Sequence, residues 1–438
     1  MTMDTFNGHK PSSTTPNSSQ RLLPRQTTCQ PQPQKMLSQI RAILFVLGLS
    51  LITITIYVVW QNTLPLISPI ALIDVITGHS TASKSPKIIY GFFPYWNSKY
   101  ANELNINFLT HLAYFAIDLN PDGTINKINV KKEQEPGWNK INSNAVEKLL
   151  YQSKLLGQKT ILTVTAMDPE LIESILENPS NSRTAINSIM EIYKNKNFDD
   201  INVDFEYVGK PETTTRSNFI TFIRNLKNAC RTQNKNCQID VDIFADTATK
   251  DRLWDLVGLS PVVDRFIVMA YDYSRKSSSQ AGPVAPLTGK CNHQQSLPCL
   301  DQDIISHLSQ ITKIVPPEKI ILGIPFYGYE WQTAGKDFLA NTYPGTGSLA
   351  SYSRIQSLFS DSKISSLSAM WSQTTLSPYL VFEKGEETHQ IYFENSESLK
   401  QKIKLVKSAN LGGVAIWALG YEVPFGELWE PIKNISTL

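Results

Sequence analysis

A chain of 438 residues with 41 Lys and Arg against 39 Asp and Glu carries a formal net charge of +2, and 10% of its residues are aromatic. That length and aromatic share suffice for a large packed core. With no long basic run outside the N-terminal tail, the charge pattern argues against a nucleic-acid partner and for a neutral or mixed-charge one.

Residues 1–41 are rich in Pro, Ser, Thr and Gln, a composition that buries too little apolar surface to offset ordering entropy, and a disordered tail is expected there. Residues 42–60 run without a charge and are long enough for one transmembrane helix, with Tyr57 and Trp60 suited to the interface. Lys10, Arg21, Arg25, Lys35 and Arg41 all precede this span, which places the tail in the cytoplasm and the remainder outside a plasma membrane crossed once. A cleaved signal peptide is the alternative; the long polar region ahead of the run and the lack of an A-x-A-like site after it disfavour that reading. Residues 61–85 read as a linker, and the globular part occupies 86–438.

This topology leaves Cys29 inside and two close pairs outside, Cys230/Cys237 and Cys291/Cys299. Local disulfides are the expectation in an oxidising compartment; neither pair has the C-x-x-C spacing of a zinc site.

After residue 86, short β-rich runs alternate with amphipathic helical ones. Strands are expected at 88–93, 111–117, 160–166, 201–205, 238–244, 266–271, 320–325 and 413–417, and helices at 144–156, 169–177, 182–194, 217–232, 300–314 and 396–409. Eight such repeats predict an α/β fold, a (β/α)8 TIM barrel, with an open doubly wound sheet as the alternative that no G-x-G-x-x-G or P-loop supports. The gap at about 331–394 predicts a small α+β lobe inserted between the last two strands.

The run F-D-D-I-N-V-D-F-E at 198–206 alternates an apolar face with one bearing Asn202, Asp204 and Glu206. Carboxylates on a central strand are costly to bury, so chemistry is the natural reason for them. Other polar and aromatic residues sit at the C-terminal ends of the expected strands: Tyr95 and Trp96, Tyr271 and Asp272, Tyr327 and Tyr329, and Trp417. In a barrel that end carries the active site. Rings around a carboxylate pair suit a sugar, since pyranose faces stack on aromatics and carboxylates meet hydroxyls; for any ring taken singly, plain packing is the alternative.

Over residues 86–438 the chain resembles glycoside hydrolase family 18, the chitinase-like family. Its D-G-x-D-x-D-x-E pattern is met at 199–206, M-A-Y-D at 269–272, G-P-V-A-P-L at 282–287, G-I-P-F-Y-G at 323–328, and L-G-G-V-A-I-W-A-L-G at 411–420. The resemblance implies a retaining hydrolysis in which the substrate's own N-acetyl group is the nucleophile. Glu206 is then the acid and base, kept protonated by burial and by the like charge of Asp204. Asp204 holds the acetamido N–H, Tyr271 its oxygen, Asp272 binds near the scissile sugar and Trp417 forms the floor. Asp199, Asn202, Met269, Tyr95, Trp96 and Tyr327 complete the expected substrate contacts. The chemistry needs no cofactor and no metal, and the partner expected besides the lipid bilayer is a polysaccharide with β-1,4-linked N-acetylglucosamine, bound by a monomer.

Three positions depart from the family pattern. Asp200 stands for glycine, Asn202 for an aspartate, and the third strand lacks S-x-G-G. Asn202, the divergent third strand and Y-G-Y-E-W at 327–331 resemble the branch acting on bacterial cell-wall and spore peptidoglycan, chitin-type chains being the other substrate. A lectin-like protein that binds glycan without turnover is the alternative function, and a membrane protein using the barrel only as a scaffold is a third. Retention of Glu206 favours the enzyme.

Overall fold

The computed structural model describes residues 86–291, 298–433 and 435. The tail, membrane span and linker expected over 1–85 lie outside the described residues. Among the described residues, no helix is long and apolar enough to cross a membrane.

In chain order, the first seven strands are β1 (Ile88–Pro94), β2 (His111–Asp118), β3 (Lys159–Ala166), β4 (Asp200–Phe205), β5 (Ile239–Phe244), β6 (Arg265–Met269) and β7 (Ile320–Pro325). Five lobe strands follow, β8 (Tyr327–Gln332), β9 (Ser348–Ser351), β10 (Ile364–Ser372), β11 (Ser377–Lys384) and β12 (Glu387–Tyr392), and then β13 (Gly413–Trp417). Strands β1 to β7 and β13 close into one parallel barrel, with β13 bridging β7 and β1. Closure needs a residue without a side chain at the seam: a Cβ on Gly413 would lie 2.0 Å from the Ile88 carbonyl oxygen.

The expected strands match these within one or two residues, except that β6 ends at Met269 and leaves Tyr271 and Asp272 on the loop beyond it. The lobe departs more: its antiparallel sheet, in the order β10-β11-β12-β8-β9, begins at Tyr327 rather than 331. Tyr327 and Tyr329 therefore belong to the lobe's own sheet while remaining close to the barrel.

The crossover helices are α1 (Pro136–Ile141), α2 (Asn144–Leu155), α3 (Pro169–Glu177), α4 (Pro179–Asn195), α5 (Thr213–Gln233), α6 (Leu256–Leu259) and α7 (Ile304–Ile311); α8 (Tyr352–Ser357) belongs to the lobe, and α9 (Ser396–Ser408) precedes β13. Their starts are written locally. Asp168 accepts a hydrogen bond from the Leu171 N–H with Pro169 in the first turn of α3, and Asn395 and Ser398 cap α9 reciprocally.

Alternation then separates two environments. Ile201, Val203 and Phe205 of β4 enter the apolar layer under the helices, where the Phe205 ring packs against Phe219 and Phe222 of α5. Asp200, Asn202 and Asp204 occupy the alternate positions and are also buried. The two cysteine pairs form the expected disulfides, Cys230–Cys237 and Cys291–Cys299.

Candidate active site

Glu206 follows the last residue of β4 and borders a cleft of about 780 Å³ that is also lined by Met269, Tyr271, Asp272, Tyr273, Arg275 and His307. A separate hollow of about 440 Å³ lies by Trp138 and Lys196 and is lined by none of the motif residues. Burial raises the Glu206 carboxyl above the ordinary range; the charge of Asp272 adds to that rise and Arg275 opposes it. The sequence pointed to Asp204 as the like charge acting on Glu206. The larger one is Asp272, brought to the cleft by the loop after β6.

Asp272 has φ +60, a left-handed backbone that Asp tolerates better than most residues. Its Oδ1 accepts hydrogen bonds from the Tyr327 hydroxyl and, at 3.0 Å, from the Tyr329 hydroxyl, so two lobe side chains hold a barrel-loop carboxylate in place. Arg275 Nε donates to the Asp272 backbone oxygen at 3.1 Å.

Deeper in the barrel, Asp204 is 2% exposed, and its Oδ1 has no hydrogen-bond partner among the described residues. Burial drives its carboxyl well above the usual range, with Asp242 and then Glu206 adding to the rise. Asn202 is buried beside it and donates from Nδ2 to Asp242 Oδ1 at 2.8 Å. The Tyr271 hydroxyl is pushed well up by burial and by Asp242, Asp204, Glu206 and Asp272, so it remains an O–H donor at neutral pH. Unpaired acceptors, a raised acid and a phenolic donor can meet the N–H and C=O of an amide and protonate an ether oxygen.

The second part of the site is aromatic. Trp417, at the end of β13, lies 4.6 Å from Phe115, 5.8 Å from Phe92 and 6.1 Å from Trp96 between ring centroids, and Tyr95 meets Trp96 at 4.9 Å. Trp96 is 42% exposed, which leaves a ring available for stacking.

Most of the expected residues are thus brought to one end of the barrel: Asn202, Asp204, Glu206, Met269, Tyr271, Asp272, Tyr327, Tyr95, Trp96 and Trp417. Asp199 is the exception. It precedes β4, at the opposite end, roughly 20 Å along the strand from Glu206. Its carboxylate accepts from the Thr160 N–H and hydroxyl at 2.9 Å, which makes it a clasp between β3 and β4 rather than a substrate contact.

Asp200 is also settled by the fold. Position 200 is an ordinary strand residue, without the left-handed backbone that only glycine would tolerate well. Its carboxylate receives Arg265 Nη2 at 2.8 Å and the Gln238 N–H at 3.0 Å. Sequence reasoning missed Asp242. The signal was present in the alternation I-D-V-D-I-F at 239–244, which repeats the pattern of β4 one strand further on.

Residues 88–422 match Glycosyl hydrolases family 18. The chain is 25% identical over 287 residues to the sporulation-specific protein YdhD of Bacillus subtilis, covering 64% of this chain and 61% of that one. It is 26% identical over 273 residues to the cortical fragment-lytic enzyme of the same organism, covering 60% and 56%. The chain therefore spans less than two thirds of the length of either relative. Among solved structures, the Group IV chitinase of Ostrinia furnacalis in complex with allosamidin superposes with TM-score 0.67 at 20% identity, over 80% of this chain and 98% of that one, a likeness of fold.

Proposed function

The chain belongs to glycosyl hydrolase family 18, and from that premise we propose that it cleaves β-1,4-linked N-acetylglucosamine glycans by substrate-assisted retaining hydrolysis. The observation that carries this is Glu206 at the cleft with a raised carboxyl, flanked by Asp204 and Tyr271. The acetamido oxygen of the bound sugar attacks C1 while Glu206 gives its proton to the glycosidic oxygen, and the leaving chain departs with that proton. Asp204 accepts the acetamido N–H and balances the positive ring that forms, and Tyr271 donates to the acetamido oxygen. Water, losing a proton to Glu206, then attacks C1 from the face the leaving group vacated, which restores the starting configuration.

The polymer we assign is peptidoglycan-type glycan, with chitin oligosaccharides as a second substrate. Arg275 supports this assignment: it is exposed on the cleft wall near Glu206 and pairs with no carboxylate among the described residues, which suits a carboxylate-bearing sugar. We further propose that residues 42–60 tether the domain to the outer face of the plasma membrane. The charge-free run, the basic residues ahead of it and the two disulfides support that topology.

Reducing-end release by the purified full-length protein, from peptidoglycan and from N-acetylglucosamine oligosaccharides, tests the assignment. Glu206→Gln should lower kcat by about 10³-fold with an unchanged melting temperature; wild-type turnover in that variant would refute the mechanism.

A further inference from the structure

Asp242 is buried, lies outside every motif that identified the site, and has no cation within ion-pair distance among the described residues. In the β4–β5 register Asn202 faces Asp240 and Val203 faces Val241, so the next step sets Asp204 beside Asp242. Asn202 Nδ2 donates to Asp242 Oδ1 at 2.8 Å, while Asn202 Oδ1 and Asp204 Oδ1 are both buried without a partner among the described residues. Arg265, a buried guanidinium of this interior, is already engaged by Asp200, Asp240 and His111 toward the other end of the barrel. Two enclosed carboxyls side by side without a cation cannot both ionise, so they hold at least one proton between them. Asn202 presents its Nδ2 to Asp242, and donation favours the charged form of the acceptor, which leaves the proton with Asp204 before substrate binds.

We propose that Asp242 is a positioning residue for the hydrolysis: it takes the proton that Asp204 sheds when the substrate's acetamido N–H arrives, and so lets Asp204 face the positive ring as a carboxylate. This rests on the substrate-assisted reading above. The step is balanced: the O–H bond of Asp204 breaks, an O–H bond forms on Asp242, and the net charge of the pair does not change. Position 202, where the family pattern has aspartate, carries the amide, and the second acid stands on the neighbouring strand. The two residues work as one unit with acid and amide exchanged between β4 and β5. The charged and titratable groups around Asp242 are Asp204 and Glu206 from β4 and its end, Asp240 on its own strand, Tyr271 from the loop after β6, and Tyr90 from β1.

The test uses the full-length protein with Asp242→Asn, Asn202→Asp and the double exchange, assayed on N-acetylglucosamine oligosaccharides. Asp242→Asn should lower kcat by about 100-fold with KM held within about threefold, and should displace the pH profile. The double exchange, which returns the acid to β4, should recover most of that loss, a rescue that a packing role does not provide. Wild-type kcat and pH profile in Asp242→Asn would overturn the proposal, and so would a folded double variant as impaired as the single one. Carboxyl ¹³C titration of Asp-labelled wild-type protein adds a readout free of turnover: two coupled steps that merge to one in Asp242→Asn support the shared proton, and independent titrations overturn it. A wild type that cleaves no N-acetylglucosamine glycan would sink the proposed function, and the titration would still decide the proton sharing.

Discussion

Strands β4 and β5 each carry a buried acid toward both ends of the barrel, and the two ends treat them in opposite ways. At the N-terminal end, Arg265 of β6 reaches Asp240 at 2.6 Å through Nε and Asp200 at 2.8 Å through Nη2, while Nη1 meets His111 Nε2 at 2.5 Å. Burial pushes the Asp240 carboxyl up to about 7, with both the charge and the hydrogen bond of Arg265 opposing that rise. At the C-terminal end, Asp204 and Asp242 have no such cation among the described residues; burial holds both carboxyls well above their usual range, with Asp242 and Glu206 adding to the rise of Asp204, and Asp240 and Glu206 adding to that of Asp242 against the Asn202 hydrogen bond. The compensated acids clamp strands together. The uncompensated ones, on the reading proposed above, pass a proton from one to the other when substrate binds, and that end is the one where the cleft opens.

The widest break in this contrast comes from removing its cation. Arg265→Met leaves two enclosed carboxyls at the lower end without their cation and should destabilise the fold by about 3–5 kcal/mol near neutral pH, measured by urea unfolding. The loss should shrink in acid, where the Asp240 carboxyl protonates. A variant as stable as wild type at neutral pH would mean the lower network is not held by charge.

A smaller effect is expected at the upper end from Tyr271→Phe, which keeps the ring and deletes the donor. We expect kcat/KM to fall by about 10²-fold with stability preserved, since one directed hydrogen bond to developing charge is lost. Steady-state kinetics together with a melting curve separate this outcome from a packing defect.

The smallest effects are in the pH dependence of stability, and the two ends should have opposite signs. Asp204 and Asp242 have folded pKa values raised above the unfolded carboxyl value. Their contribution is full below about pH 4 and is lost as pH rises through the folded values. Asp242→Asn should therefore flatten the alkaline side of a plot of melting temperature against pH. His111 is the reverse case: burial and then Arg265 hold its pKa well below the ordinary value. Its contribution is present above about pH 6.5 and is lost on acidification, so His111→Gln should flatten the acid side. Equal slopes in wild type and both variants would dissolve the distinction between the ends.

Much of the site was legible along the chain because strand alternation and strand-end placement are local properties. F-D-D-I-N-V-D-F-E showed which residues of β4 alternate between the two faces, and the motifs around the ends of β6 and β13 put Tyr271 and Trp417 at the C-terminal strand ends, where the structure has them. Asp199 misled because the shared pattern spans a whole strand: its first member sits at one mouth of the barrel and its last at the other. Asp200 looked like a defect against a glycine pattern, and its partner Arg265 lies 65 residues later. The lobe boundary slipped because Tyr327 to Trp331 reads equally well as a loop of rim residues or as a strand, and antiparallel pairing with β9 and β12 decides for the strand.

What the sequence by itself determined is the repeating strand and helix order, the family and the acid at 206, all of which rest on periodicity and short motifs. Tertiary structure alone decided which buried acids are neutralised and which are not. Asn202 meets Asp242 across 40 residues of chain, and Asp272 is held by two tyrosines of an inserted sheet. The energy of a buried carboxyl depends on the charges and donors within a few ångströms of it, and only barrel closure brings those together.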